Sequence, residues 1–215
     1  MRIAPEGLPF VAIGFFIAFA FLAAALGLGG GWWVPFALSL PLALWVPYFF
    51  RNPDRNGPRG AHLVISPADG KIVSVEDVDE PAYVEGKCRR VAVFMNVFDV
   101  HVNRYPTSGR VTYRHYRPGR FFNATLDKAS EHNEQTSLGL DGPPGRVLVK
   151  QIAGLVARRI VTDHQPGEVV EQGQRMGLIR FGSRVEVFLP LATDVTVSVG
   201  DRVAAGETVI GKWQK

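Results

Sequence analysis

Leu178-Ile-Arg-Phe-Gly-Ser-Arg-Val-Glu-Val-Phe-Leu-Pro190 is a strand-like run on both sides of a Gly-Ser pair. Runs rich in Val, Ile and Phe are the mark of a β-strand. The Gly182-Ser183 pair interrupts the run. Most Gly-Ser pairs are turns or bulges. This one also has a chemical reading. A serine hydroxyl can attack the carbonyl just before it, and a glycine there leaves that carbon uncrowded. If the fold strains the bond and supplies a base, the chain can cut itself and leave a carbonyl group where the serine was.

Working outward, Lys71–Val75, Arg90–Val97, Gly109–Tyr116, Arg146–Ile152, Leu155–Val161, Met176–Phe181 and Val185–Leu189 carry the same strand signature. Ala124–Glu134 alone reads as helix, and a short one. Gly167-Glu-Val-Val-Glu-Gln-Gly173 is echoed by Gly200-Asp-Arg-Val-Ala-Ala-Gly206. Each has a glycine turn, an acidic residue, a valine and a second glycine turn, as small β-sandwiches use to reverse the chain. Chance turn chemistry is the plain reading. The favoured one is a duplicated hairpin in a mainly β, compact β-sandwich of barrel-sandwich-hybrid type. Lipoyl and biotin carriers use similar turns, but neither tip here offers a lysine.

The N-terminal part is different. No charged residue lies between Glu6 and Arg51, a run long enough to cross a bilayer twice at about 20 residues each. The spans read as Leu8–Leu28 and Trp32–Phe50, with Gly29-Gly30-Gly31 as the turn. A signal peptide competes for the first span, and the second argues for a retained helical hairpin. Pro35, Pro41 and Pro47 predict a bent second span, re-entrant or interfacial as alternatives. The chain therefore divides into an anchor at 1–50, a linker at 51–61 and a β-rich domain at 62–215. Arg51, Arg55 and Arg59 follow the second span, which places that domain in the cytoplasm.

The net charge of +4 belongs to the part beyond residue 50, which suits an anionic membrane surface. No Lys/Arg stripe with interleaved aromatics points to nucleic acid. Cys88 is the single cysteine, so there is no internal disulfide, and packing is its expected role. His62, His132 and His164 lack partners at ligand spacing, so no metal is expected. Asp69, in Ser66-Pro67-Ala68-Asp69-Gly70, reads first as a turn residue. His101, in Phe98-Asp99-Val100-His101-Val102-Asn103-Arg104, reads first as a packed strand histidine. Pro118–Phe121 and Lys128–Glu134 read as a loop and a solvated helix.

Taken in order, these segments stop looking independent. Together with Phe49-Phe50-Arg51-Asn52-Pro53, Gln151–Arg158 and Arg180–Arg184, the chain resembles the phosphatidylserine decarboxylases, in particular the short bacterial and archaeal branch of that pyruvoyl-dependent family. The resemblance spans nearly the whole sequence. It implies self-cleavage between Gly182 and Ser183 into a large chain, 1–182, and a small chain, 183–215, headed by a pyruvoyl group made from Ser183. That group would form a Schiff base with the serine headgroup of phosphatidylserine and release carbon dioxide, giving phosphatidylethanolamine. His101 matches the family's histidine and Asp69 its turn aspartate, implying acid/base and orienting roles. Longer members carry a second histidine where this chain has Arg104. The base for self-cleavage is then His101 or another residue such as His115, and Arg104 becomes a candidate contact for lipid phosphate or carboxylate. A plain salt bridge is the other reading for Arg104. The expected partners are phosphatidylserine in the membrane and the chain's own two fragments, and a homo-oligomer is compatible with the sequence. A non-enzymatic, membrane-tethered β-sandwich that binds lipid or protein is the reading from another class.

Overall fold

The computed structural model describes residues 2–119, 133–143, 145–154, 159–180 and 183–213. The chain forms two compact units, Met1–Asp54 and Arg55–Lys215.

In the first unit a two-residue strand, β1 (Arg2–Ile3), precedes α1 (Leu8–Leu28) and α2 (Trp33–Phe49), and β2 (Arg51–Asn52) closes it. Arg2 pairs with Asn52 and Ile3 with Arg51. The helices meet through small residues. Ala18, Ala25 and Ala43 are buried, and a Cβ on Gly14 would stand 3.5 Å from the Ala43 Cα. Small residues let helix backbones approach closely in an apolar solvent. Phe16, Leu26 and Leu38 point outward, each more than 70% exposed, and both helices are long and apolar enough to span a bilayer. The apolar hairpin expected from sequence is present, and α2 runs unbroken through Pro41 and Pro47.

The second unit is almost entirely strand. Its elements are β3 (Leu63–Ile65), β4 (Gly70–Glu80), β5 (Gly86–Met95), β6 (Val102–Arg104), β7 (Gly109–Arg117), β8 (Gln135–Gly142) and β9 (Gly145–Ala153). They continue with β10 (Ile160–Thr162), β11 (Val169–Val170), β12 (Arg175–Ile179), β13 (Ser183–Pro190), β14 (Thr193–Val195), β15 (Arg202–Val203) and β16 (Val209–Trp213). A curled eight-stranded sheet runs β11-β7-β8-β9-β13-β5-β4-β15. Two three-stranded sheets, β10-β12-β6 and β14-β16-β3, pack on one of its faces. Val91, Val93, Met95, Val185, Val187 and Leu189 meet Val64, Met176, Ile179 and Ile210 in the shared core. The alternate residues Cys88, Leu148 and Phe188 build a second cluster with Tyr83 on the other face, as the pleat requires. Burial pushes the Cys88 thiol up to about 11.

Two strand ends differ from expectation. β5 stops at Met95 rather than Val97 because Asn96 turns the chain: its backbone N–H donates to Asp99 Oδ2 at 2.9 Å and its own Oδ1 accepts from Phe98 N at 2.8 Å. Of Leu155–Val161, only the end is described, in β10. The helix expected at Ala124–Glu134 lies outside the described residues apart from its last two positions.

The repeat seen in sequence organises this unit. β11 pairs with β7 and β15 with β4, so the two copies form the two edges of the large sheet. Gly109 faces Val170 just as Gly70 faces Val203. Gly167 N–H donates to Val111 O at 2.7 Å, and Gly200 N–H to Ile72 O at 2.9 Å. Gly167, Gly173, Gly200 and Gly206 all have positive φ, between 74° and 104°, which glycine alone adopts without strain. Both copies even carry a register shift at the same place, between Ile72 and Ser74 and between Val111 and Tyr113.

Candidate active site at the end of β5

Ser183 opens β13 and is fully buried. It faces Met95 on one side and Ala153 on the other, and its hydroxyl donates to Met95 Sδ at 3.3 Å. Thioether sulfur is a weak acceptor, so the hydroxyl is held without being strongly committed. Asn103 Nδ2 reaches the same sulfur at 3.6 Å. Asn103 accepts in turn from Gln151 Nε2 at 2.8 Å. All four side chains are buried, so the hydroxyl sits at the end of a dry polar chain. Gly182, the other half of the expected cleavage site, lies outside the described residues.

Asp69 stands across β5 from Ser183. Lys71 is opposite Phe94 and Ser183 opposite Met95, so the two flank the end of the same strand, each about 4.8 Å from it in the ladder direction. Gly70 permits this approach: a Cβ there would lie 2.1 Å from the Phe94 carbonyl oxygen. The repeat explains the turn. In one copy Ser108 Oγ accepts from Gln172 N at 2.9 Å, and in the other Asp69 Oδ1 accepts from Ala205 N at 2.7 Å. The position needs an acceptor, and this copy fills it with a carboxylate. Arg55 Nη2 then donates to both oxygens of Asp69, at 2.9 and 2.7 Å, while its Nη1 reaches Glu207 at 2.8 Å. Burial raises the Asp69 pKa above the ordinary carboxylate value, and the Ala205 N–H and the Arg55 guanidinium partly offset it.

His101 follows the turn at the end of β5 and is fully buried. Its Nδ1 lies 3.0 Å from the Asp99 carbonyl. A carbonyl only accepts, so Nδ1 carries a proton and donates it there. Its own carbonyl accepts from Ile179 N at 3.3 Å. The histidine is thus fastened to β12, the strand whose chain continues to Ser183.

Arg104 is half-buried, with Nη1 on the Gly173 carbonyl at 3.0 Å. His115 stands in the row Ser137, Lys150, Glu186, three strands from β13, so it is about 14 Å away in the ladder direction. The fold does not bring it to Ser183. Among the described residues no three His, Cys, Asp or Glu side chains form a metal-sized group.

Sequence reasoning passed over several groups. Arg55 and Arg59 were read as orientation charges in a linker, yet Arg55 holds Asp69 and Arg59 Nη1 donates to the Gly206 carbonyl at 2.7 Å. Arg184 and Glu186, close to Ser183 on the opposite face of β13, form a buried pair at 2.7 Å, each 1% exposed. Charged residues at alternate positions of an otherwise apolar strand were the available signal.

A family model described as phosphatidylserine decarboxylase matches residues 42–211. A protein of Symbiobacterium thermophilum named phosphatidylserine decarboxylase proenzyme is 50% identical over 98% of this chain and 95% of its own. Proteins with the same name from Syntrophotalea carbinolica and Azorhizobium caulinodans are each 46% identical over 97% of this chain, and over 95% and 88% of their own.

Proposed function

This chain belongs to the phosphatidylserine decarboxylase family, and we propose that it is a proenzyme that cuts itself before Ser183 and then decarboxylates phosphatidylserine to phosphatidylethanolamine. What supports the reading is that Ser183 and the Asp69 turn flank the end of β5, and that His101 follows the turn that ends this strand.

In processing, Ser183 Oγ attacks the Gly182 carbonyl carbon and the acyl group moves from nitrogen to oxygen. His101 Nε2 takes the hydroxyl proton, the Asp99 carbonyl that accepts from Nδ1 orients the ring, and the Asp69 carboxylate favours the resulting imidazolium through its charge. Loss of the Ser183 α-proton breaks the ester, frees the Gly182 carboxylate and leaves dehydroalanine at 183. Water then converts it to a ketone with release of ammonia. The fold suits such a group. β13 is bonded along its length to β5 and β9, so the new chain end stays in place after the bond before it is gone.

The pyruvoyl ketone supplies an electron sink for an amine substrate losing carbon dioxide. The chain's own residues do the rest. The Asn103–Gln151 pair and the apolar core exclude water on one side of position 183. His101 returns a proton to the substrate α-carbon. Arg104 offers a guanidinium for phosphate or carboxylate. The apolar hairpin keeps the enzyme at the bilayer, where a diacyl substrate resides, with the β-rich unit on the cytoplasmic face by the positive charges after the second span.

Measuring carbon dioxide release by the full chain from phosphatidylserine and from free serine tests the substrate assignment. Release from the lipid and none from serine is expected. Turnover of both at similar rates would refute it.

A further inference from the structure

The turn at the end of β5 displays Val97 and Phe98 to solvent, 36% and 62% exposed. It is not a loose loop. Besides the two side-chain bonds of Asn96 and Asp99 already described, Asp99 N donates to Asn96 O at 3.0 Å. A second turn, Ser198–Asp201, is braced in the same manner. Ser198 N donates to Asp201 Oδ2 at 2.8 Å and Asp201 N to Ser198 O at 3.1 Å. Its tip carries Val199, 63% exposed. The two turns are neighbours: Arg202, at the foot of the second, reaches Asp99 in the first at 3.1 Å. The Lys71 side chain extends to within 4.0 Å of a Cβ built on Gly200. Lys71 is exposed, and the Arg202 side chain is 69% exposed.

Holding apolar side chains rigidly in water is unfavourable, and contiguous apolar surface rimmed by polar groups marks a contact site. Here the rim carries the cations Lys71 and Arg202 beside two aspartates. The two aspartates are occupied, Asp99 by Arg202 and Asp201 by its own turn. We propose that these two turns are a membrane-docking face of the β-rich unit: Val97, Phe98 and Val199 enter the acyl boundary of a bilayer while Lys71 and Arg202 meet anionic headgroups. This second contact is independent of the hairpin and rests on the lipid-substrate reading above. It seats the entrance to position 183 on the membrane, since Phe98 lies three residues before His101 and its turn directly follows Met95, the partner of Ser183.

The test uses the full chain in vesicles of phosphatidylcholine with phosphatidylglycerol. Cys88 is buried, so a cysteine introduced as Phe98→Cys or Val199→Cys takes a polarity-sensitive fluorophore selectively. Lys87→Cys, at the far end of β5, is the control. Labels at 98 and 199 are expected to shift to the blue and to be quenched by nitroxide-bearing lipid, and the label at 87 to do neither. Water-like emission at 98 or 199, or a blue shift without lipid quenching, overturns the proposal. A Val97→Ser/Phe98→Ser/Val199→Ser variant gives the activity arm. It is expected to lose about tenfold on phosphatidylserine in vesicles while matching wild type on a monomeric short-chain phosphatidylserine. Equal rates on both substrates also overturn it. A wild-type enzyme that releases carbon dioxide from neither refutes the catalytic reading instead, and the fluorescence then decides the docking face alone.

Discussion

Replacing Arg55 with Met removes the guanidinium that holds both oxygens of Asp69 and leaves only the Ala205 N–H. The side chains of this pair are 10% and 16% exposed. Solvent-exposed pairs contribute at most about 1 kcal/mol, and breaking a fully buried one costs about 3–5 kcal/mol. This pair lies between, at about 2 kcal/mol, discounted for its residual exposure. Arg55 favours the charged carboxylate, so its loss raises the Asp69 pKa further. The acidic limb of the self-cleavage rate therefore moves to higher pH. Stability follows the same sign. A carboxyl whose folded pKa exceeds its unfolded value loses stability as pH rises between the two, so the variant's deficit is larger at pH 8 than at pH 5. At about 2–4 °C per kcal/mol, Tm falls by about 4–8 °C at the higher pH. Cleavage followed by gel against pH, with thermal melts at both pH values, checks this. Arg55→Lys keeps the charge and holds the limb near wild type. An acidic limb that Arg55→Met leaves unmoved would refute the coupling of Asp69 ionisation to processing.

Three further outcomes follow from packing. Met95→Leu keeps the core volume and costs under about 1.5 kcal/mol, yet removes the sulfur that holds Ser183, so cleavage slows while Tm barely moves. Cleavage at the wild-type rate would leave the sulfur with a packing role only. Glu186→Leu breaks the buried pair with Arg184 and lowers stability by about 3–5 kcal/mol, readable as a denaturant midpoint shift. With its pKa pushed up to about 11 by burial, Cys88 should resist iodoacetamide at pH 8 in the native state and react on unfolding, as mass spectrometry would show.

Much of the fold was legible because β-strands announce themselves by runs rich in Val, Ile and Phe. Leu8–Leu28 and the strands around Gly182-Ser183 were found from pattern alone, and the paired glycine turns pointed to a duplication whose two copies lie at opposite edges of the large sheet. Strand ends were less legible, because they depend on single side-chain bonds such as those of Asn96. The site was visible in part. Asp69 and His101 came from the family resemblance, since a turn aspartate and a buried histidine carry no signal of their own. The roles of Arg55, Met95, Asn103 and Gln151 were not legible because they arise from partners up to 152 positions away in sequence. An arginine in a polar linker looks the same whether it faces water or a half-buried carboxylate such as Asp69.

The central claim is that position 183 becomes a carbonyl group made by the chain itself. Intact-mass analysis of the purified protein, with and without phenylhydrazine, tests it most directly. The account predicts fragments 1–182 and 183–215, the smaller lacking a free amino terminus and gaining one hydrazone adduct, and an uncleaved chain from Ser183→Ala. A single wild-type species of 23.6 kDa, or a small fragment beginning with an ordinary serine amine, would contradict it.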